Sequence, residues 1–304
     1  MPTLHGESST ARINGIDIWY EFTGDADRPT LVLTHGFAGP TGCWPPVLDE
    51  IRPHVRLLLY DVRAHGRTTV PDPAIHPGEL SAFTMPQLAA DLLGLMDHLG
   101  IERPHLGGVS MGGMVSAQFA CDYPDRLRSL LLCDTTAGNQ GDPATAQIER
   151  DIVQIFERTA RIVEQHGLRG LAERENRYRR EHDPYAAKSS FSLDEQDERK
   201  WEQIARMTDE GFLAANRALR ERPDLTSRTP KIDVPVLVSC GEWDMFYPCA
   251  ERDHRLIANS RFATVRGAAH DTTNYTPQLW KRAVLDFIAD VEAGRDVRGE
   301  VEYA

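Results

Sequence analysis

Short, unbroken apolar runs alternate with helical stretches along most of this chain. Ahead of them, Thr10 to Gly24 reads as two short strands around Asn14-Gly15, a pair that tolerates the positive φ angles of a tight hairpin turn. The apolar runs follow at Leu31-Val32-Leu33-Thr34, Val55 to Tyr60, His105 to Val109, Ser129 to Cys133, Val236 to Cys240 and Arg261 to Val265. Runs that lack polar alternation predict strands covered on both faces, as in a parallel sheet. Helical patterns separate them: Trp44 to Ile51 behind Pro45-Pro46, Pro86 to Leu99, Met111 to Asp122, and Leu279 to Val291. The second of these puts Leu88, Leu92, Leu95, Met96 and Leu99 on one face, with proline in its first turn and Gly100 just past its end. Strands and helices at this spacing predict an α/β architecture with a mostly parallel, doubly wound sheet.

Residues 137 to 231 break the rhythm. The stretch is helical and strongly charged and contains no strand candidate. Ile148, Ile152, Ile155, Phe156 and Val163 make one amphipathic face; Trp201, Ile204 and Met207 make another. The chain therefore divides into a first core part, 1–136, an inserted helical cap, 137–231, and a second core part, 232–304. An insertion after a strand's carboxyl end is expected to act as a lid, because open α/β sheets place their ligands there.

Composition narrows the function classes. With 304 residues the chain can bury a sizeable core, and a formal net charge of -12 disfavours nucleic acid and anionic membranes as partners. No apolar run approaches the ~18–20 residues that span a bilayer, and the first residues lack the pattern of a signal peptide. Cys43, Cys121, Cys133, Cys240 and Cys249 are odd in number and widely spaced, which fits free thiols in a reducing compartment. The sequence has no HExxH, no clustered ligand set and no glycine-rich nucleotide loop, so neither metal nor cofactor is expected. The expectation is a soluble cytoplasmic protein acting on a small molecule; its oligomeric state is not fixed by the sequence.

The chemistry concentrates at turns after strands. Gly108-Val109-Ser110-Met111-Gly112 matches the nucleophile elbow G-x-S-x-G, with a predicted strand before it and a helix after it. A serine hydroxyl needs a base within hydrogen-bond reach. Of the eleven histidines, His270 in Gly267-Ala268-Ala269-His270 is best placed, late in the chain and just past the last apolar run. His5, His54, His76, His166, His182 and His254 are most simply solvated, and His98 and His105 structural. The acid that orients the base is expected at Asp244, in Gly241-Glu242-Trp243-Asp244. Asp134, which ends the preceding apolar run, and Glu242 are its rivals. The backbone N–H groups of Met111 and Phe37 are candidates for an oxyanion hole. Phe37, Trp44, Met111, Trp243 and Phe246, with Trp201 and Phe212 on the lid, are candidate substrate contacts, and Arg63 and Arg67 the only loop cations expected nearby.

Together, the His35-Gly36-Phe37 loop, Asp61-Val62-Arg63-Ala64-His65-Gly66-Arg67-Thr68, the elbow, the loop Gly241 to Pro248 and Gly267 to His270 resemble those of α/β-hydrolases with an inserted lid. Gly107 to Met114 and Cys133 to Gly138 look most like enol-lactonases and small carboxylesterases. Two departures are Ala64, where that family often has glycine, and Tyr275, where glutamate often precedes x-Pro. The resemblance implies a serine hydrolase that cleaves an ester or lactone through an acyl-enzyme. Its relatives leave room for a C–C bond hydrolase, a cofactor-free haloperoxidase or perhydrolase, and a receptor that keeps the three residues without turnover. Serine at position 110 argues against the dehalogenase and epoxide-hydrolase relatives, whose nucleophile is a carboxylate.

Overall fold

The structure is a computed structural model and describes residues 7–39, 41, 44–45, 47–69, 83–138, 142–189 and 191–304. Asn14 and Gly15 take φ of 46° and 81°, closing β1 (Glu7–Ile13) and β2 (Ile16–Thr23) into the expected antiparallel hairpin. The alternating part then runs β3 (Thr30–Thr34), α1 (Leu48–Ile51), β4 (Arg56–Tyr60), α2 (Met85–His98), β5 (His105–Val109), α3 (Met111–Asp122) and β6 (Ser129–Cys133). After it come α4 (Ala146–His182), α5 (Leu193–Ile204) and α6 (Asp209–Arg220). The chain closes with β7 (Val236–Gly241), α7 (Tyr247–Leu256), β8 (Ser260–Val265), α8 (Thr272–Tyr275), α9 (Pro277–Glu292) and β9 (Gly299–Tyr303).

Among the described residues the strands form one sheet in the order β1-β2-β4-β3-β5-β6-β7-β8-β9. Pairing is antiparallel at β1–β2 and β2–β4 and parallel elsewhere. Successive strand side chains point to opposite faces, so each apolar run feeds two cores. Val32, Leu58, Leu106, Leu130 and Val238 pack with Leu92 and Leu95 of α2 and Phe119 of α3. Leu31, Leu33, Leu57, Leu59, Leu131 and Leu237 pack with Ile51 of α1 and Trp280, Val284 and Phe287 of α9. This double cover is why the runs show no polar alternation.

Four elements differ from expectation, among them the unforeseen short helix α8. The helix expected from Trp44 is only Leu48–Ile51; Trp44 lies outside it and stacks on Trp280 at 6.0 Å. Helix α7 hid because its covered side carries Arg252 and Asp253 beside Cys249 and Ala250, so no apolar stripe is visible. Strand β9 hid because an edge strand needs few apolar residues: of its five, Tyr303 is buried. His5, His76 and Cys43 lie outside the described residues.

The helices between β6 and β7 have a small core of their own. Gly167, at φ 66°, breaks α4 into two segments. Ser192 and Glu195 form a reciprocal capping box at the start of α5, and Thr208 caps α6. Ile162, Val163, Leu168, Leu171, Ile204, Met207 and Phe212 cluster with Ala38 and Phe37, which come from the loop after β3. Trp201, expected beside Ile204 and Met207, turns outward and is 41% exposed.

Candidate active site

Backbone strain marks the sheet's carboxyl edge. Apart from Asn14 in the hairpin, the described non-glycine residues with positive φ are Ala38 (58°), Ala64 (61°), Ser110 (55°), Asp134 (48°) and Asp271 (72°). They sit in the segments leaving β3, β4, β5, β6 and β8. Side chains rarely adopt such angles unless the surroundings over-determine them.

Ser110 sits between β5 and α3 at φ 55° and ψ −116°. A Cβ on Gly112 would lie 2.0 Å from the Thr34 carbonyl oxygen, so only glycine lets α3 approach β3 this closely. The elbow is pinned from β6: the Ser110 N–H donates to the Cys133 carbonyl at 3.0 Å, and the Thr135 hydroxyl donates to the Ser110 carbonyl at 2.7 Å. The Ser110 hydroxyl oxygen lies 3.1 Å from Nε2 of His270, whose Nδ1 lies 2.9 Å from Oδ2 of Asp244. Asp244 is buried, and its other oxygen accepts the Phe246 N–H at 3.0 Å. The rivals for the acid are occupied elsewhere. Glu242 accepts from the Gly267 N–H and pairs with Arg266. Asp134 accepts from backbone and hydroxyl groups of neighbouring loops rather than from the imidazole.

Desolvation works against a charged His270, but the Asp244 carboxylate, its hydrogen bond and the nearby Asp134 outweigh it and push the imidazole pKa up to about 9. Burial, then the Asp244 charge, raises the Asp134 carboxyl to about 7. An isolated imidazole would be expected to titrate near or below ~7; two buried carboxylates move this one the other way. Asp134, Cys240 and Asp244 bring three ligand-type atoms within 4.8 Å of one another. Both carboxylates already accept hydrogen bonds, and burial holds the Cys240 thiol protonated as a donor to Asp244.

The loop after β3 passes beside the serine: a Cβ on Gly36 would lie 3.7 Å from that of Ser110. His35 accepts the Val62 N–H at Nε2 (2.9 Å), so its Nδ1 carries the proton and donates to the Gly36 carbonyl at 2.8 Å. Burial lowers its pKa and keeps the ring neutral. Asp61 ties the same region together through the Thr41 and Arg67 N–H groups at 2.6 and 2.8 Å. Met111 opens α3, where an N–H has no partner within the helix; its side chain is in the core. The Phe37 side chain, which the sequence did not single out beyond its N–H and residue type, joins this region to the inserted helices. It lines the cavity and stands 4.7 Å from Phe212 and 5.9 Å from Phe156.

A cavity of about 400 Å³ opens over Ser110 and His270. Of the aromatic candidates, Phe37, Trp44 and Phe246 line it. Trp201, Phe212 and Trp243 do not. Trp201 faces outward, Phe212 is buried beneath Phe37, and Trp243 stacks on Tyr185 with Lys188 4.0 Å above its ring. Sequence reasoning missed Ile152, Ile155 and Phe156 of α4, Met245, and Lys200 of α5 as wall residues. The amphipathic face of α4 was the available signal for the first three. Neither loop arginine reaches the cavity: Arg63 is buried against Asp91 at 2.7 Å, and Arg67 covers Trp19. Lys200 is the only lysine or arginine among the described lining residues, and it pairs with Glu175 at 2.8 Å.

Residues 29–271 match the model of a family described as alpha/beta hydrolase fold. A putative 2-succinyl-6-hydroxy-2,4-cyclohexadiene-1-carboxylate synthase of Bacillus subtilis is 28% identical over 272 residues, covering 86% of this chain and 90% of that protein. The 3-oxoadipate enol-lactonase 2 of Acinetobacter baylyi is 25% identical over 93% of this chain and 97% of its own. The crystal structure of an enol-lactonase from Burkholderia xenovorans superposes with a TM-score of 0.75 at 25% identity, over 92% of this chain and all of that one.

Proposed function

The chain belongs to the α/β-hydrolase fold family, and from that premise we propose that it is a serine hydrolase cleaving small carboxylic esters or lactones. The observation that carries the reading is the unbroken hydrogen-bonded line from the Ser110 hydroxyl through both ring nitrogens of His270 to buried Asp244. In this mechanism His270 takes the Ser110 proton as the oxygen attacks the substrate carbonyl, and Asp244 fixes the tautomer and supports the imidazolium. The Phe37 and Met111 N–H groups receive the oxyanion. His270 then protonates the leaving alkoxide, and water repeats the cycle on the acyl-enzyme to release acid and free Ser110.

The substrate is a neutral, small-to-medium molecule. Supporting this, the cavity wall is mostly apolar and the charge of Lys200 is already met by Glu175. Ile155 and Met245, 47% and 41% exposed, extend the apolar wall to the surface, so an acyl or alcohol tail can run out between them. Residues 137–231 act as the lid in this reading, with 1–136 and 232–304 as the core. No described helix is long and apolar enough to cross a membrane, and the four described cysteines are free thiols, which supports a cytoplasmic setting.

A second reading has its own observation. The putative synthase of Bacillus subtilis is not named for ester or lactone hydrolysis, which leaves C–C bond hydrolysis by Ser110, His270 and Asp244 as the alternative. Labelling with a fluorophosphonate, then a panel of chromogenic esters, lactones and a vinylogous diketone, separates the two. Covalent modification of Ser110 with turnover of esters or lactones supports the proposal; turnover of the diketone alone overturns it in favour of C–C hydrolysis.

A further inference from the structure

Asp134 is fully buried, yet among the described residues it is neither the acid that touches His270 nor paired with a lysine or arginine. It also holds a left-handed φ of 48° immediately after β6. Its hydrogen bonds account for both features. Oδ1 accepts the Gly241 N–H at 3.2 Å, where the chain leaves β7 toward Asp244. Oδ2 accepts the Thr272 N–H at 2.7 Å and the Thr272 hydroxyl at 2.8 Å, two residues beyond His270. One carboxylate thus joins the loop carrying the acid to the loop carrying the base, across 107 and 138 residues of chain.

We infer that Asp134 is a positioning residue that clamps the Asp244 and His270 loops in register and adds a second negative charge behind the imidazolium. The inference rests on the proposed role of His270 as the base. An oxygen of Asp134 lies within 4.8 Å of one of Asp244. Two buried carboxylates this close repel each other, and the arrangement is sustained when a positive charge forms between their loops. The groups facing His270 are Ser110 from the turn between β5 and α3, Asp244 from the β7 loop, Asp134 from the β6 loop and the adjacent Asp271. Lys200 of α5 and His35 line the same cavity. The raised pKa of His270, to which Asp134 contributes after Asp244, agrees with the geometry.

Two variants separate clamp from charge. Asp134→Asn keeps the shape and the acceptor for one loop but loses the charge and the other acceptor; Asp134→Ala loses the charge and the whole clamp. The primary readout is the titration of the His270 ring followed by NMR in the full chain, its signal identified by its loss in His270→Gln. In Asp134→Asn the midpoint should fall by roughly one pH unit. On a chromogenic ester at a pH above both midpoints, where His270 is neutral in either protein, kcat should drop about tenfold with KM nearly unchanged. Asp134→Ala, where it folds, should lose on the order of 10² in kcat because the loops are no longer held together. An unshifted His270 midpoint in Asp134→Asn overturns the inference, whatever happens to stability. The titration needs no turnover, so it decides the role of Asp134 even where the wild type hydrolyses no ester and the functional proposal itself fails.

Discussion

The parallel sheet and the inserted helices bury their apolar residues in different ways. Strands β3 to β8 are covered on both faces, and the segments leaving their carboxyl ends hold five non-glycine residues at positive φ. Helices α4 to α6 bury one stripe each in a small cluster, partly against Phe37, and leave the other side charged. Groups that must stay within a few tenths of an ångström of each other need the first kind of support. Groups that only shape a wall can sit on the second. On the proposed mechanism, the sheet edge therefore carries the reaction and the insertion carries selection among substrates.

The hardest test of that division is Ser110→Ala. It should lower kcat by on the order of 10⁶ for every substrate and abolish fluorophosphonate labelling while leaving the melting temperature nearly unchanged. Label persisting on another serine would remove the sheet edge from the reaction. Asp244→Asn comes next, with an expected loss of about 10³–10⁴ in kcat because the amide permits the wrong tautomer of His270. Asp134→Asn should cost far less; the opposite ranking in steady-state kinetics would make the residue after β6 the acid.

Acid should act uniformly on all substrates, since it acts through the sheet edge. His270 works as a base only when neutral, and its pKa is raised to about 9. Activity is therefore lost as pH falls through that region, and kcat/KM drops about tenfold per unit below it. The midpoint should stand above that of an ordinary imidazole, and a measured value under ~6.5 would show that the carboxylates do not act on the ring. Metal chelators should leave the profile unchanged; inhibition reversed by a divalent ion would contradict the metal-free mechanism.

Changes in the insertion should be smaller and substrate-dependent. Ile155→Ala should cost about 1–2 kcal/mol, or roughly 5–30-fold in kcat/KM, on a medium-chain ester and little on an acetyl ester. Equal losses on both would mean that α4 serves the chemistry instead. Trp201→Ala should change kcat/KM less than about twofold and stability by no more than about 0.5 kcal/mol, as expected for an exposed side chain. A large effect on substrate discrimination would return Trp201 to the cavity wall.

Most of the sheet was legible because its signal is local. A doubly covered strand is a short apolar run, and a hairpin turn or an elbow is a few residues with restricted φ. Helix α7 and strand β9 escaped because their buried sides carry Arg252 and Asp253 or almost nothing apolar. At the site, Ser110, His270 and Asp244 were nameable from their order and their places after strands, and the structure brings them within 3.1 Å and 2.9 Å contacts. The aromatic wall was half legible: residue type pointed to Phe37, Trp44 and Phe246, but equally to Trp201, Phe212 and Trp243.

The sequence by itself determined most of the elements, their alternation, and which loops could carry a nucleophile, a base and an acid, because each of these depends on neighbours a few residues away. Only the tertiary structure decided which side of α4 and α5 meets the cavity, that Arg63 braces Asp91 while Lys200 lines the wall, and that Asp134 joins two loops. It also decided the surroundings that raise the pKa of His270, which faces a serine 160 residues away and carboxylates from two other loops. Helix phase against a neighbour and the field at a ring are sums over groups distant in the chain, and no local pattern encodes such a sum.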